Sequence, residues 1–581
     1  MSSAFPVFVL PRVARVVRGS LVVLTLLIGG CDVSADSTTA QYDVLILNGT
    51  IYDGRGGRPF TADVAISGTR IVALGDFTRA SAAIVIDAAG LAVAPGFINM
   101  LSWAPESLLI DGRSQGDIRQ GVTLEVFGEG NSFGPVNEAM KRQMRARQVD
   151  YEYEISWNTL GEYLEHLERK GVSPNVASFV GATTVRVHQL GYADRRPSEV
   201  ELTAMRGLVR EAMEEGALGL GSSLIYAPAF YAHTDELIAL AKVVAEYDGM
   251  YISHMRSEGN RLLESLDELI RIAREAGVAA EIYHLKMSGQ ENWGKFDEVV
   301  ATVEAARAEG LAITADMYTY PAGSTGLDAA MPPWVQEGGY AAWAERLRDP
   351  ILRARVIAEM KVRGDDWENL LRQAGAEGAL LVNFRNPELR KYIGRTLADV
   401  AAERGTSPQE TALDLVVEDG SRVGVVYFLM SEENVARGIA LPWVSFGSDA
   451  GSFATEGIFL QQSTHPRAYG NFARVIGKYV RAEKVISLAE AIRKLSGLPA
   501  ANLKLRERGL LQEGFYADVV VFDPATVQDH ATFDNPHRYA TGVQHVLVNG
   551  EMVLRDGEHT GALPGQVVRG PGWTGWQATA N

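Results

Sequence analysis

A single cysteine, Cys31, stands in a chain of 581 residues, which excludes any disulfide within the protein. Positive charge is also scarce. Lys and Arg number 55 against 72 Asp and Glu, leaving a net charge of −17. This excludes a general nucleic-acid binder, and a protein held to an anionic membrane by a basic face, because both need clustered positive charge. The acidity reads as a solvated surface. Internal repeats are missing, and so are low-complexity tracts beyond a short polar stretch near the N-terminus. What is abundant is apolar: 46% of the residues are hydrophobic, enough for a large core.

The N-terminal segment reads as an export signal rather than as part of the fold. Arg12, Arg15 and Arg18 precede the apolar run "LVVLTLLIGG", and Cys31 follows it. Leu27-Ile28-Gly29-Gly30-Cys31 resembles a bacterial lipobox, in which the cysteine is lipidated and becomes the first residue. The alternative is an ordinary cleavable signal with an incidental cysteine. The expectation is a signal and lipobox over 1–31 and a polar tether over 32–42. The mature chain would then be an exported lipoprotein, anchored to a membrane by acyl chains without spanning it and facing the periplasm or cell exterior.

Residues 43–94 read as short strands, with Asn48-Gly49 and Ser67-Gly68 as turn signals. Matching strands recur over 505–570, with Asn549-Gly550 as another tight turn. The two ends are expected to combine in one small β-sandwich domain. Between them, strand patterns at 93–100, 121–128, 175–181, 217–224, 248–255, 279–287, 311–319 and 442–449 alternate with helical patterns. Ser198 and Glu201 have capping-box spacing at the start of one such helix. Eight strands with intervening helices predict an α/β fold, a (β/α)8 TIM-like barrel over 95–504. The stretch before the eighth strand is too long for one crossover, so a helical insertion is expected at about 330–440.

Chemistry in such barrels gathers at the C-terminal ends of the strands. His254 ends the fifth pattern, and His284 and Lys286 end the sixth. Tyr318, Tyr320 and Ser324 follow the seventh, and Asp449 follows the eighth. Barrel interiors are filled by Val, Ile and Leu, so polar residues at these successive ends mark a site.

The segments "GALGLGSSLIYAPAFYAHTDE", "YISHMRSE", "YHLKMSGQENWGK", "FGSDAG", "HPRAYGNFARVIGKYVR" and "GLLQEGFYADVVVFDP" carry a resemblance. Over roughly residues 43–560 the chain resembles the D-aminoacylases, the N-acyl-D-amino-acid deacylases of the amidohydrolase superfamily. The resemblance implies His254 and His284 as metal ligands and Asp449 as the base that activates water. It implies Arg467 as the binder of the substrate's α-carboxylate, with Tyr318 and Ser324 beside it. Two neutral imidazoles suit Zn²⁺. A metal lowers the pKa of water and polarises an amide carbonyl, a nearby carboxylate can pass the proton to the leaving amine, and a planar guanidinium reads a carboxylate with two hydrogen bonds.

Two departures stand out. The family's first strand ends in Asp-x-His-x-His, whereas this chain reads Asn99-Met100-Leu101-Ser102-Trp103. The second, weaker metal position served by those histidines should be empty. The family's cysteine ligand after strand two aligns with Gly130, which has no side chain to offer. Glu129, one residue earlier, has the reach to replace it. The expectation is one metal per chain, held by Glu129, His254 and His284 with an open fourth position. Exchanging thiolate for carboxylate hardens the site and makes Mn²⁺, Fe²⁺ and Co²⁺ rivals to Zn²⁺.

Several alternatives stay open on the sequence. Glu129 could instead be a solvated or helix-capping carboxylate, with Glu106 and Glu125 as other candidates. Asp449 could be a turn residue, Arg467 could pair with a surface acid, and Lys286 could form an ion pair at the barrel top. His465 lies close to Arg467 in sequence. Trp103 and Trp293 could line an acyl pocket or simply pack. The partner expected is a small N-acyl amino acid, with the D-enantiomer implied by resemblance alone. A dipeptide, a lactam or a lipid-like amide would use the same site. A non-catalytic binding lipoprotein on a decayed barrel is the reading of another class.

Overall fold

The structure is a computed structural model that describes residues 40–578 apart from 149 and 365. Cys31, the segment 1–31 and residues 32–39 of the tether lie outside the described residues. Among the described residues no helix is long and apolar enough to cross a membrane.

Both chain ends build one nine-stranded sheet. Tyr42–Ile51 pairs with Phe60–Ser67 on one side and with Ala82–Asp87 on the other. Ala92–Pro95 pairs antiparallel with Val519–Phe522, which hands the sheet on to Val543–Val548 and Glu551–Arg555. Val44, Ile46, Val64, Ile66, Val519, Val521 and Leu547 bury together in its core. Asn549-Gly550 makes the expected tight turn, with φ of 49° and 82°. Asn48-Gly49 does not. It is a bulge inside Tyr42–Ile51, where the register shifts and Asn48 takes φ 61°.

Gly96 is the step from sheet to barrel. A Cβ there would lie 2.0 Å from Thr123 Oγ1, so only glycine allows this close approach. The barrel strands are Phe97–Asn99, Val122–Phe127, Asn175–Ser178 with Val180–Gly181, Gly219–Ser223, Met250–His254, Ala279–Ile282, Ile313–Met317 and Val444–Phe446. All neighbouring pairs run parallel. Strand eight returns to strand one through Met100 N to Phe446 O (3.1 Å), Asp449 N to Leu101 O (2.8 Å) and Trp103 N to Ala450 O (2.9 Å). Ile98, Met100, Leu101, Val126, Phe179 and Ile252 form a buried cluster in which side chains of successive strands meet, as the barrel pattern requires. Ser198 and Glu201 form the expected capping box on the helix Glu199–Glu214.

The insertion after strand seven is not built of helices alone. Helices such as Tyr340–Arg348, Pro350–Met360 and Pro408–Asp419 surround a three-stranded antiparallel sheet of Ala322–Gly326, Gly424–Phe428 and Ala379–Asn383. Its first strand starts at Ala322, ahead of the expected boundary near 330. That strand, "AGSTG", lacks the β-branched alternation that makes a strand visible in sequence. The insertion has its own core, which includes Leu381, Val400, Leu413 and Tyr427.

Candidate active site

The loop after barrel strand two turns sharply at Gly130, which has φ +64°. A Cβ there would lie 2.4 Å from Ser223 Cβ, so this backbone admits no cysteine at that position. The same turn places Glu129 in the barrel mouth, 4% exposed. Glu129 Oε1 lies 3.0 Å from His254 Nδ1 and 3.2 Å from His284 Nε2. One atom from each of these three buried residues falls within 4.8 Å of the others. The two other acids weighed for this role point elsewhere. Glu106 accepts from the Tyr153 hydroxyl at 2.9 Å, and Glu125 is bound to Asn99 (3.0 Å) and Ser114 (3.0 Å).

His254 closes strand five. His284 follows strand six with φ 38°, and its N–H donates to Asp316 Oδ1 at 2.9 Å. A left-handed histidine is uncommon, and the surrounding bonds hold it there. Behind both imidazoles lies Glu258, on the far side from Glu129. Its carboxylate is 3.0 Å from His284 Nδ1 and 3.5 Å from His254 Nε2, and 2.6 Å from Lys286 Nζ. A carboxylate on the rear nitrogen of a ligating imidazole orients the ring and strengthens it as a donor. This applies to His284, whose Nδ1 is also 2.7 Å from Lys286 Nζ, whereas His254 Nε2 has no directed hydrogen bond among the described residues.

Charge follows this geometry. Burial disfavours an ionised Glu129, yet the bonds from His254 and His284 hold its carboxyl well below the usual range. Burial is likewise outweighed at Glu258, by His254, Lys286 and His284. Burial and Lys286 both oppose charge on His284, but Glu258 and Glu129 push it up to about 10. The cluster therefore calls for positive charge at the point where one carboxylate and two imidazole nitrogens converge. That donor set fits a divalent cation such as zinc.

Asp449 lies three residues past strand eight in a left-handed conformation, φ 50°. Burial raises its pKa, and the neighbouring Arg467 offsets this in part. Arg467 Nη1 pairs with Asp449 Oδ2 at 2.8 Å, and the guanidinium stacks 4.4 Å from the Tyr318 ring centre. Among the described residues, neither Nε nor Nη1 of this buried arginine has a well-directed hydrogen-bond acceptor. His465 fixes Arg467 from behind: its Nδ1 accepts from Arg467 N (3.0 Å), so its Nε2 carries the proton given to Ala322 O (2.9 Å). Burial and Arg467 push His465 well below the ordinary histidine range, which keeps it neutral.

The structure thus brings Glu129, His254, His284, Lys286, Asp449, Arg467 and Tyr318 to one barrel mouth. Ser324 stands at its edge: its carbonyl lies 3.5 Å from Arg467 Nη2, while its hydroxyl is taken by Val425 O at 3.2 Å. Trp293 packs against the core and donates to Leu429 O at 2.9 Å. Trp103 belongs to the site. Its indole Nε1 donates to Glu129 Oε2 (2.9 Å) and Asp449 Oδ1 (3.1 Å). Two participants escaped the sequence reading, Glu258 and Tyr226, whose ring packs edge-on 5.3 Å from His254. Glu258 sits four residues past His254 in "YISHMRSE", and that spacing was the available signal.

Comparison with known proteins agrees with this architecture. Residues 137–554 match the amidohydrolase family. The D-aminoacylase of Alcaligenes xylosoxydans xylosoxydans is 34% identical over 92% of this chain and 99% of its own. The N-acyl-D-aspartate deacylase of the same organism is 33% identical over 92% and 96%. A solved D-aminoacylase, described as having a binuclear metal centre with one-metal activation and second-metal attenuation, superposes with a TM-score of 0.74 at 33% identity, covering 91% of this chain and all of that one. The N-acyl-D-glutamate deacylase of Bordetella bronchiseptica, solved with zinc and a phosphonate inhibitor, gives the same TM-score at 29% identity. With its metal-type donor cluster at the mouth of an eight-stranded barrel, the chain belongs to the amidohydrolase family, in the group of D-aminoacylases and N-acyl-D-amino-acid deacylases.

Proposed function

We propose that this protein hydrolyses the amide bond of N-acyl-D-amino acids with a single metal held by Glu129, His254 and His284. The observation that carries the reading is the convergence of those three donors beside Asp449 and Arg467. A divalent metal there supplies Lewis acidity, polarising the scissile carbonyl and acidifying water. Asp449, close to Glu129 through their shared Trp103 donor, takes the proton of the attacking water and delivers it to the leaving amine. Its raised pKa suits a group that must both accept and release a proton. Arg467 Nη1 is held by Asp449, while Nε has no acceptor among the described residues and can receive the substrate's α-carboxylate, with Tyr318 and Lys286 flanking that position. Rejection of substrates without the carboxylate follows, because Nε of this buried guanidinium would otherwise stay without an acceptor.

The D-preference is supported by the named activities of the relatives. Zinc is the metal the donor set favours; Mn²⁺, Fe²⁺ and Co²⁺ are the alternatives. Export and lipid anchoring at Cys31 are supported by the charged segment, apolar run and lipobox of the sequence. The test is amine release from a panel of N-acyl D- and L-amino acids by the metal-loaded protein. Hydrolysis of D-substrates that disappears when the carboxylate is esterified is expected. No release from any member with any of the four metals would refute the reading.

A further inference from the structure

Trp103 stands where the family resemblance places the second histidine of the first strand, and its environment gives it a different task. Its indole N–H is shared between two carboxylates from opposite sides of the barrel seam, the buried Glu129 at Oε2 (2.9 Å) and the partly buried Asp449 at Oδ1 (3.1 Å). The other oxygen of each carboxylate is engaged elsewhere. Glu129 Oε1 faces His254 and His284, and Asp449 Oδ2 faces Arg467. Thus each carboxylate uses one oxygen for its own partners and the second for the indole. The backbone that carries the ring is fixed to strand eight, because Trp103 N donates to Ala450 O at 2.9 Å and Ser102 bridges to Ala450. Leu101, the other position of the pair, is fully buried in the barrel's apolar cluster and offers no donor.

Two carboxylates that face one donor repel, and a positive group between them relieves that repulsion. A cation could do so; here the positive end of an N–H dipole does. We infer that Trp103 is a positioning residue that ties Asp449 to Glu129 through its indole N–H, and that it fills the place from which a second cation would bridge these carboxylates. The centre is then mononuclear by construction. The inference rests on the hydrolase reading for the positioning role, but the closure of the second cation position stands on geometry alone.

Two measurements test it. Apoprotein is titrated with Zn²⁺, freed of excess, and its bound metal counted. Wild type should hold one zinc at every excess, and W103H, which returns an imidazole to this position, should hold two. A second firmly held zinc in wild type, or only one in folded W103H, overturns the closure. This arm reads no activity, so it decides even if no N-acyl amino acid is hydrolysed. In the second arm, W103F should keep its single zinc while kcat falls at least about tenfold, with KM changed by less than about threefold. W103Q should recover part of the loss, since the Gln amide nitrogen lies as many bonds from Cα as the indole nitrogen does. Trp103 is 42% exposed, so none of these changes empties the core. Wild-type kcat in W103F overturns the positioning role.

Discussion

At the scale of single residues, the site is a set of carboxylates sorted by their neighbours. Glu129 faces the imidazoles from one side and Glu258 lies on the other, while Asp449 is held between Trp103 and Arg467. Removing the charge of Glu258 should leave both imidazoles in place but His284 poorly oriented. Glu258→Gln is expected to weaken zinc binding by about 10–100-fold, read by competition with a chromogenic chelator; unchanged affinity would exclude the orienting role. Asp449→Asn should keep metal affinity near wild type and lower kcat by roughly 10²–10⁴-fold in a substrate-saturated assay. Much of this was legible in sequence, because His254, His284 and Asp449 each follow a strand pattern and strand ends carry barrel chemistry. Glu258 and the bond partners of Trp103 were not legible. Which way a loop side chain turns depends on contacts such as Ser223 against Gly130, and these come from distant parts of the chain.

At the scale of elements, the insertion is wired to the loop behind the donor cluster. Glu368, from the insertion, accepts bonds from the Ser257 hydroxyl and from the N–H groups of Glu258 and Gly259. It thereby shapes the loop that presents Glu258. Burial, and then the charge of Glu258, push the Glu368 carboxyl up to about 7 from its ordinary 4.5. The folded protein therefore retains a proton that the unfolded chain gives up. That contribution is fully present below about pH 4.5 and is lost as pH rises toward 7. Glu368→Gln cannot ionise, so its stability relative to wild type should rise across this window by about 1.4 kcal/mol per pH unit. Urea unfolding at pH 5 and pH 8 reads the difference, and parallel curves for the two proteins would contradict it. The eight barrel strands were visible from their regular alternation with helical periods, even where composition is weak, as in Gly219–Ser223. The insertion's sheet was not, because Ala322–Gly326 is a strand by pairing with Gly424–Phe428 rather than by composition.

At the scale of the whole molecule, one buried polar network fastens the end sheet to the barrel. Arg508 pairs with Asp518, whose Oδ1 receives Asn549 N (2.8 Å) and Asn175 Nδ2 (3.2 Å). Asn175 begins barrel strand three, and Asn549 forms the tight turn between two sheet strands. Asp518→Ala would leave Arg508 buried without its counter-charge, at a cost of about 3–5 kcal/mol in denaturant unfolding. A loss under about 1 kcal/mol would mean that this network adds little to the join between sheet and barrel.

The most direct test of the whole reading is the metal content of the purified protein, measured by elemental analysis for wild type and for Glu129→Ala. One ion per chain in wild type, lost or greatly weakened in the variant, is expected if Glu129 has taken the part of the missing cysteine beside His254 and His284. A variant that keeps its ion as tightly as wild type, or a wild type that holds none after reconstitution with zinc, manganese, iron or cobalt, would contradict it.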